Sequence, residues 1–159
     1  MLDAEVKKTV LRMFTYGLYA LTVPDLPNGH AATVNWVTQS SFEPPLLAIS
    51  VEKVSRTISL LRQSGVFAVN VYGSDHGGLA GQLGRRFANK PDKFQGVPWS
   101  TDITGSPLLD DALAYVECRV NGEVESGDSV IFVGEIVGVG VLKPGDPLTM
   151  RDAGFKHAG

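Results

Sequence analysis

Cysteine is almost absent: Cys118 is the only one in 159 residues, so no intrachain disulfide can form. Nor is there a Cys-x-x-Cys pair to seat structural zinc or an iron–sulfur cluster. His30, His76 and His157, the three histidines, fall on expected loops without ligand spacing, and no metal site is expected. There is no Gly-x-Ser-x-Gly, and Cys118 sits mid-strand with no evident base, so nucleophilic catalysis has no support. No run of 18 apolar residues occurs, so no membrane span is expected. The opening MLDAEVKK is charged from its third residue and lacks an apolar h-region, which does not read as a signal peptide. A cytoplasmic protein is the expectation. Excess charge is small as well: 14 Lys and Arg against 17 Asp and Glu leave a formal net charge of −3. Nothing global therefore favours nucleic acid or an anionic membrane.

What is present describes one globular domain over residues 1–159, 43% hydrophobic and 19% charged. Its 18 glycines are roughly a tenth of the chain, against an average of about 7%. That excess suits many tight turns, hence many strands.

Asp3 can cap a first helix, with Val6, Val10, Met13 and Phe14 on one face and Gly17 as its stop. LYALTV reads as a strand, PDLPNG as a turn, and HAATVNWVT as the returning strand of a hairpin. Pro44 and Pro45 break the ladder. The almost wholly apolar LLAISV, Leu46 to Val51, then reads as a buried strand. Ser55 is a candidate N-cap for a helix to Ser64, with Gly65 just past its end. VFAVNVY is another strand. A further helix is expected from about Ser74 or Asp75, with Leu79, Leu83 and Phe87 on its inner face. Residues 89–106 read as loop, and GSPLLD and GDPLTM as turns. Two long β-rich stretches, ALAYVECRVNGEVES and DSVIFVGEIVGVGVL, meet at a Gly127-Asp128 turn. The expectation is a mainly β, antiparallel Greek-key barrel with two or three peripheral helices.

Two stretches carry candidate chemistry. In EKVSRT, the cations Lys53 and Arg56 and the hydroxyls Ser55 and Thr57 surround a helix start. Free N–H groups and the positive dipole end make such a start suited to phosphate. The plainer reading is that Ser55 only caps and the cations are solvated. In TVNWVTQSS, strand alternation places Thr33, Asn35, Val37 and Gln39 on one face, and Val34, Trp36, Thr38 and Ser40 on the other. Each face mixes polar and apolar groups, as a wall holding a flat heteroaromatic ring does; a half-solvated edge strand reads the same way. In GRRFANKPDKF, Arg85, Arg86, Lys90 and Lys93 lie near Phe87 and Phe94. A solvated helix end and a lid over an anionic or aromatic ligand both fit, while single-stranded nucleic acid fits poorly with an acidic chain.

As a set these stretches resemble the flavin reductase-like family of FMN-binding split β-barrels. The resemblance runs over nearly the whole chain, from YGLYALTV and TVNWVTQSSFEPPLLAISV through FAVNVY, LAGQLGRRFANKPDKFQG and GSPLLDDALAYVECRV to GDSVIFVGEIVGV. Within the family the YGLY…WVTQ version is most similar to flavoredoxin-like proteins. The resemblance implies that Asn35, Trp36, Val37 and Thr38 line the isoalloxazine ring of FMN. It also implies that Lys53, Ser55, Arg56 and Thr57 take the phosphate, that Lys93 and Phe94 reach the flavin, from the same chain or from the partner subunit, and that Phe155 closes over it. A homodimer is implied, with NAD(P)H or an electron-transfer protein as donor. One departure stands out: many relatives that use NAD(P)H have histidine after the Gly-Asp of the hairpin turn, where this chain has Ser129. A flavoredoxin-like electron carrier without efficient NAD(P)H turnover is therefore the alternative to a flavin reductase.

Overall fold

The architecture is set by strands that alternate between two apolar clusters. It is seen in a computed structural model that describes residues 1–85 and 92–157; Arg86, Phe87 and Lys90 lie outside the described residues. The elements run α1 (Ala4–Leu11), β1 (Tyr19–Val23), β2 (His30–Val34), β3 (Val37–Ser41), β4 (Leu46–Glu52), α2 (Arg56–Ser64) and β5 (Val66–Val71). They continue with α3 (Gly77–Leu83), β6 (Trp99–Ser100), β7 (Leu108–Leu109), β8 (Ala114–Ser126) and β9 (Ser129–Val141). Seven strands form one antiparallel sheet in the order β2-β1-β5-β8-β9-β4-β3.

β2 and β3 are the two edges of this sheet, yet only Asn35 and Trp36 separate them in the chain. With every pair antiparallel, the first and seventh strands share a direction. A single run of chain therefore serves as both edges, and the sheet must curl until they meet at this corner. Trp36 remains tied to β4 there, its carbonyl accepting from the Ser50 amide at 3.1 Å. The continuous strand expected through HAATVNWVT is thus broken in two. The alternation expected across Thr33–Ser40 fails at the corner, and again at the bulge between Gln39 and Ser41.

Inside the curl, Leu21, Val23, Ile49, Val51, Phe67, Val69, Cys118, Val130 and Phe132 form the main core, closed by Ile58, Leu60 and Leu61 of α2. β4 is buried only on alternate residues: Leu47, Ile49 and Val51 are inside, while Leu46, Ala48 and Ser50 are half-buried on the other face. A second cluster covers the outside of β1 and β2, joining Leu18, Ala20, Ala31 and Tyr72 to Ala80 and Leu83 of α3 and to Leu148 and Met150. β6 and β7 pair within the stretches expected to be loop and turn; two-residue strands are too short to show alternation.

Asp3 caps α1 as expected, its carboxylate accepting from the Glu5 and Val6 amides at 3.0 Å. The helix nevertheless ends at Leu11, short of Gly17, and none of its residues is buried. Its expected apolar face is exposed to solvent. α3 starts at Gly77 rather than at Ser74 or Asp75, because Gly73 to His76 form a turn closed by the Gly73 amide donating to His76 Nδ1 at 2.9 Å. No helix among the described residues is long and apolar enough to cross a membrane.

Candidate functional site

A cavity of about 550 Å³ opens where the β2 edge, the Asn35–Trp36 corner, the end of β4 and the start of α2 come together. Its size falls in the range of small-molecule and cofactor pockets. The β1–β2 turn positions one wall. Asn28 and Gly29 amides donate to the Asp25 carbonyl at 3.0 and 2.7 Å, with Gly29 at a φ of 73° that favours glycine. Asp25 is thereby held to receive Arg56 of α2 across 2.7 Å. The first turn of α2 is in this way pinned to the β2 edge.

The hydroxyls at that turn form a chain. Ser55 caps α2, its Oγ accepting from the Thr57 amide at 3.2 Å, and its hydroxyl donates to Thr57 Oγ1 at 2.9 Å. Thr57 Oγ1 lies 2.8 Å from His30 Nε2. A hydroxyl oxygen has two acceptor sites, so Thr57 can accept from Ser55 and still either donate to Nε2 or accept from it. A neutral ring fits its surroundings. Burial, then Lys93 and Arg56, push His30 down to about 4, with Asp25 opposing. Thr57 is fully buried and Ser55 half-buried, so Ser55 is the hydroxyl within a ligand's reach.

Lys93 is the unusual wall residue. It is 6% exposed, and Nζ donates to the Ala31 and Leu83 carbonyls at 3.0 and 3.3 Å. No carboxylate pairs with it among the described residues. Burial holds its pKa below the ordinary lysine value. A buried ammonium whose partners among the described residues are two carbonyls gains from a nearby anion. Arg56, Arg85 and Lys93 line the cavity together, facing one lining carboxylate, Glu52. At the opposite corner the His157 ring stacks on Trp36 with centroids 5.2 Å apart. His157 Nδ1 lies 3.1 Å from Asn35 Oδ1, and Nε2 lies 3.3 Å from Glu52 Oε1. Asn35 Nδ2 is buried with no hydrogen-bond partner among the described residues.

Six of the residues that the resemblance assigned to the flavin meet at this cavity: Asn35, Trp36, Ser55, Arg56, Thr57 and Lys93. The others lie elsewhere. Val37 packs against the main core, and Thr38 is exposed. Lys53 pairs with Glu125 on the β8–β9 hairpin. Phe94 packs on Trp99 with centroids 5.6 Å apart, and Phe155 joins the same second cluster. Ser129 opens β9 opposite Glu52, 2% exposed, its hydroxyl donating to Asp128 at 3.3 Å. His30 and His157 were expected on loops without a role; both line the cavity. No spacing in the sequence brings His157 to Asn35, which is 122 residues away. Cys118 is pushed up to about 12 by burial and then by Glu117, which suits a core thiol rather than a nucleophile.

A model of the flavin reductase like domain matches residues 11–159. The chain belongs to this family. Among relatives, it is 32% identical over 141 residues to a high molecular weight rubredoxin of Moorella thermoacetica, covering 87% of this chain and 62% of that protein. It thus spans under two thirds of that relative. BorF, the flavin reductase component of a bacterial two-component tryptophan halogenase, superposes with a TM-score of 0.83 at 29% identity, covering 95% of each chain. An FMN-binding protein from Thermus thermophilus superposes with a TM-score of 0.77 at 25% identity, covering 83% of this chain and 74% of that one. The residues of the cavity fit the flavin of this family. They offer a planar apolar surface in Trp36, an unpartnered buried amide in Asn35, and a cationic end at α2 for a phosphate.

Proposed function

We propose that this chain is an FMN-binding oxidoreductase of the flavin reductase class, taking electrons from NAD(P)H or a protein donor. The observation that carries the reading is the cavity lined by the Lys93 ammonium, the capped start of α2 and Asn35, whose Nδ2 has no partner among the described residues. Ser55, Arg56 and Lys93 hold the phosphate end through charge-assisted hydrogen bonds. Trp36 offers the face for the ring, and Asn35 a hydrogen bond to its polar edge. When bound, the flavin supplies hydride acceptance and electron release, and the protein supplies orientation and electrostatics. A homodimer is part of the proposal. Val54, lining the cavity, is 84% exposed, and Val6 and Val10 of α1 and Met13 and Phe14 just after it are exposed, surfaces that a second copy would cover. A monomer by light scattering that kept full FMN affinity would contradict it.

One observation favours a flavoredoxin-like carrier as the second reading. Ser129 is buried against Asp128 and brings no imidazole toward a nicotinamide. The absorbance spectrum of the purified protein, followed by stopped-flow reduction with NADH and NADPH, separates the two. Fast reduction supports the reductase. A bound yellow chromophore reduced by dithionite but not by NAD(P)H supports the carrier. No chromophore, and no NAD(P)H oxidation with added FMN, overturns both.

A further inference from the structure

Both ring nitrogens of His157 face acceptors. Nδ1 lies 3.1 Å from Asn35 Oδ1, and Nε2 lies 3.3 Å from Glu52 Oε1. An amide oxygen and a carboxylate only accept, so a ring protonated on both nitrogens satisfies both. The ring stacks on Trp36. Asn35 is only 6% exposed, and its Nδ2 lacks a partner among the described residues. This is the polar atom that the corner leaves to a ligand.

Loss of the Nδ1 proton reverses the pairing. A neutral ring that keeps Nε2–H on Glu52 turns Nδ1 into an acceptor, which the Asn35 oxygen cannot satisfy. A half-turn of the amide about its side chain exchanges oxygen and nitrogen at almost no change of shape. Nδ2 then donates to Nδ1, and Oδ1 takes its former place. The departing proton has a path out, because the His157 side chain is 51% exposed. The groups facing the ring are Asn35 from the β2–β3 corner and Glu52 from β4. Arg56 with its partner Asp25, Arg85, Lys93 and the neutral His30 stand along the same cavity. Lys156 precedes the ring in the chain.

We propose that His157 is a positioning residue which sets, through the Asn35 amide, whether the cavity wall presents a hydrogen-bond donor or an acceptor to the flavin. The ligand rests on the reading of the preceding section; the coupling between the two side chains does not. Charged His157 leaves Nδ2 to the ligand, and neutral His157 with its proton on Nε2 leaves Oδ1. Oxidised isoalloxazine shows acceptors along its polar edge, two carbonyl oxygens and two ring nitrogens, against a single N–H. The acid-side form is therefore the better host for oxidised flavin.

The test uses the full chain and its His157→Phe variant, which keeps a ring on Trp36 but carries no proton. Side-chain NMR of Asn35 and of the His157 ring, with and without riboflavin, is followed between about pH 5 and 8, where imidazoles change charge. Riboflavin replaces FMN because a phosphate monoester itself titrates near about 6. The Asn35 amide signals should shift in one step that coincides with the His157 ring and is absent from His157→Phe. Riboflavin should bind about tenfold more tightly on the acid side in the parent, the worth of one buried hydrogen bond, and be flat within about twofold in the variant. An Asn35 amide indifferent to pH, or an affinity step that survives His157→Phe, would overturn the proposal. A coincident step in a chain that takes up no riboflavin would overturn the flavin reading and leave the coupling of His157 to Asn35 standing.

Discussion

At the residue scale, a chain of hydrogen-bonding groups runs from Ser55 through Thr57 to His30 along the cavity wall. Thr57 is fully buried and engaged with both Ser55 and His30, so the more accessible hydroxyl is that of Ser55. Ser55→Ala should lower FMN affinity about tenfold, the loss of one charge-assisted bond, and leave riboflavin nearly unchanged. Equal losses by equilibrium titration would mean that the helix start itself had been damaged. His30 gives a second expectation, read in stability. Its folded pKa, near 4, lies below the ordinary 6.5, so the unfolded chain binds the extra proton first as pH falls. Stability is then complete above about 6.5 and declines as pH falls toward 4, by on the order of 3 kcal/mol in all. Urea midpoints of His30→Gln should lose that part of the pH dependence. A slope identical to the parent's between those values would show that His30 is not the group responsible.

At the scale of elements, α2 separates binding from stability, because its two ends do different work. Gly65 closes the helix at a φ of 69°, with nothing within 4 Å of where a Cβ would stand. Gly65→Ala therefore meets no clash but adopts a left-handed conformation, which costs about 1–2 kcal/mol. Denaturation should register this while FMN affinity stays within about twofold of the parent; a large loss of affinity would mean that strain at one end of α2 reaches the other. Both caps of this helix were legible in the sequence, since Ser55 and Gly65 act through local backbone geometry. So were the two long strands β8 and β9 and the Gly127-Asp128 turn that joins them. The break at Asn35–Trp36 was not legible. It arises because one run of chain must serve both edges of the sheet, a demand of the whole sheet that no local pattern carries. His157 was missed for the same reason, because its partners Asn35 and Glu52 meet it only in the folded chain. Phe94 and Phe155 pack half-buried against the second cluster.

At the scale of the whole molecule, the account comes down to charge. The chain is acidic overall, with a net charge of −3, yet one cavity gathers Arg56, Arg85 and Lys93 around the start of α2. A local reversal of sign, with a buried ammonium among its members, is what an anionic end of a ligand requires. α1 stands apart from this arrangement; it lies almost wholly before residue 11, where the match to the family begins, and it buries none of its residues. The most direct test compares two ligands that differ only in the phosphate. Equilibrium titration of the parent protein with FMN and with riboflavin, at neutral pH and at two salt concentrations, is that measurement. FMN should bind at least about tenfold more tightly than riboflavin. Added salt should weaken FMN and leave riboflavin nearly unchanged. Equal affinities for the two, unaffected by salt, would contradict the assignment of this cavity to FMN.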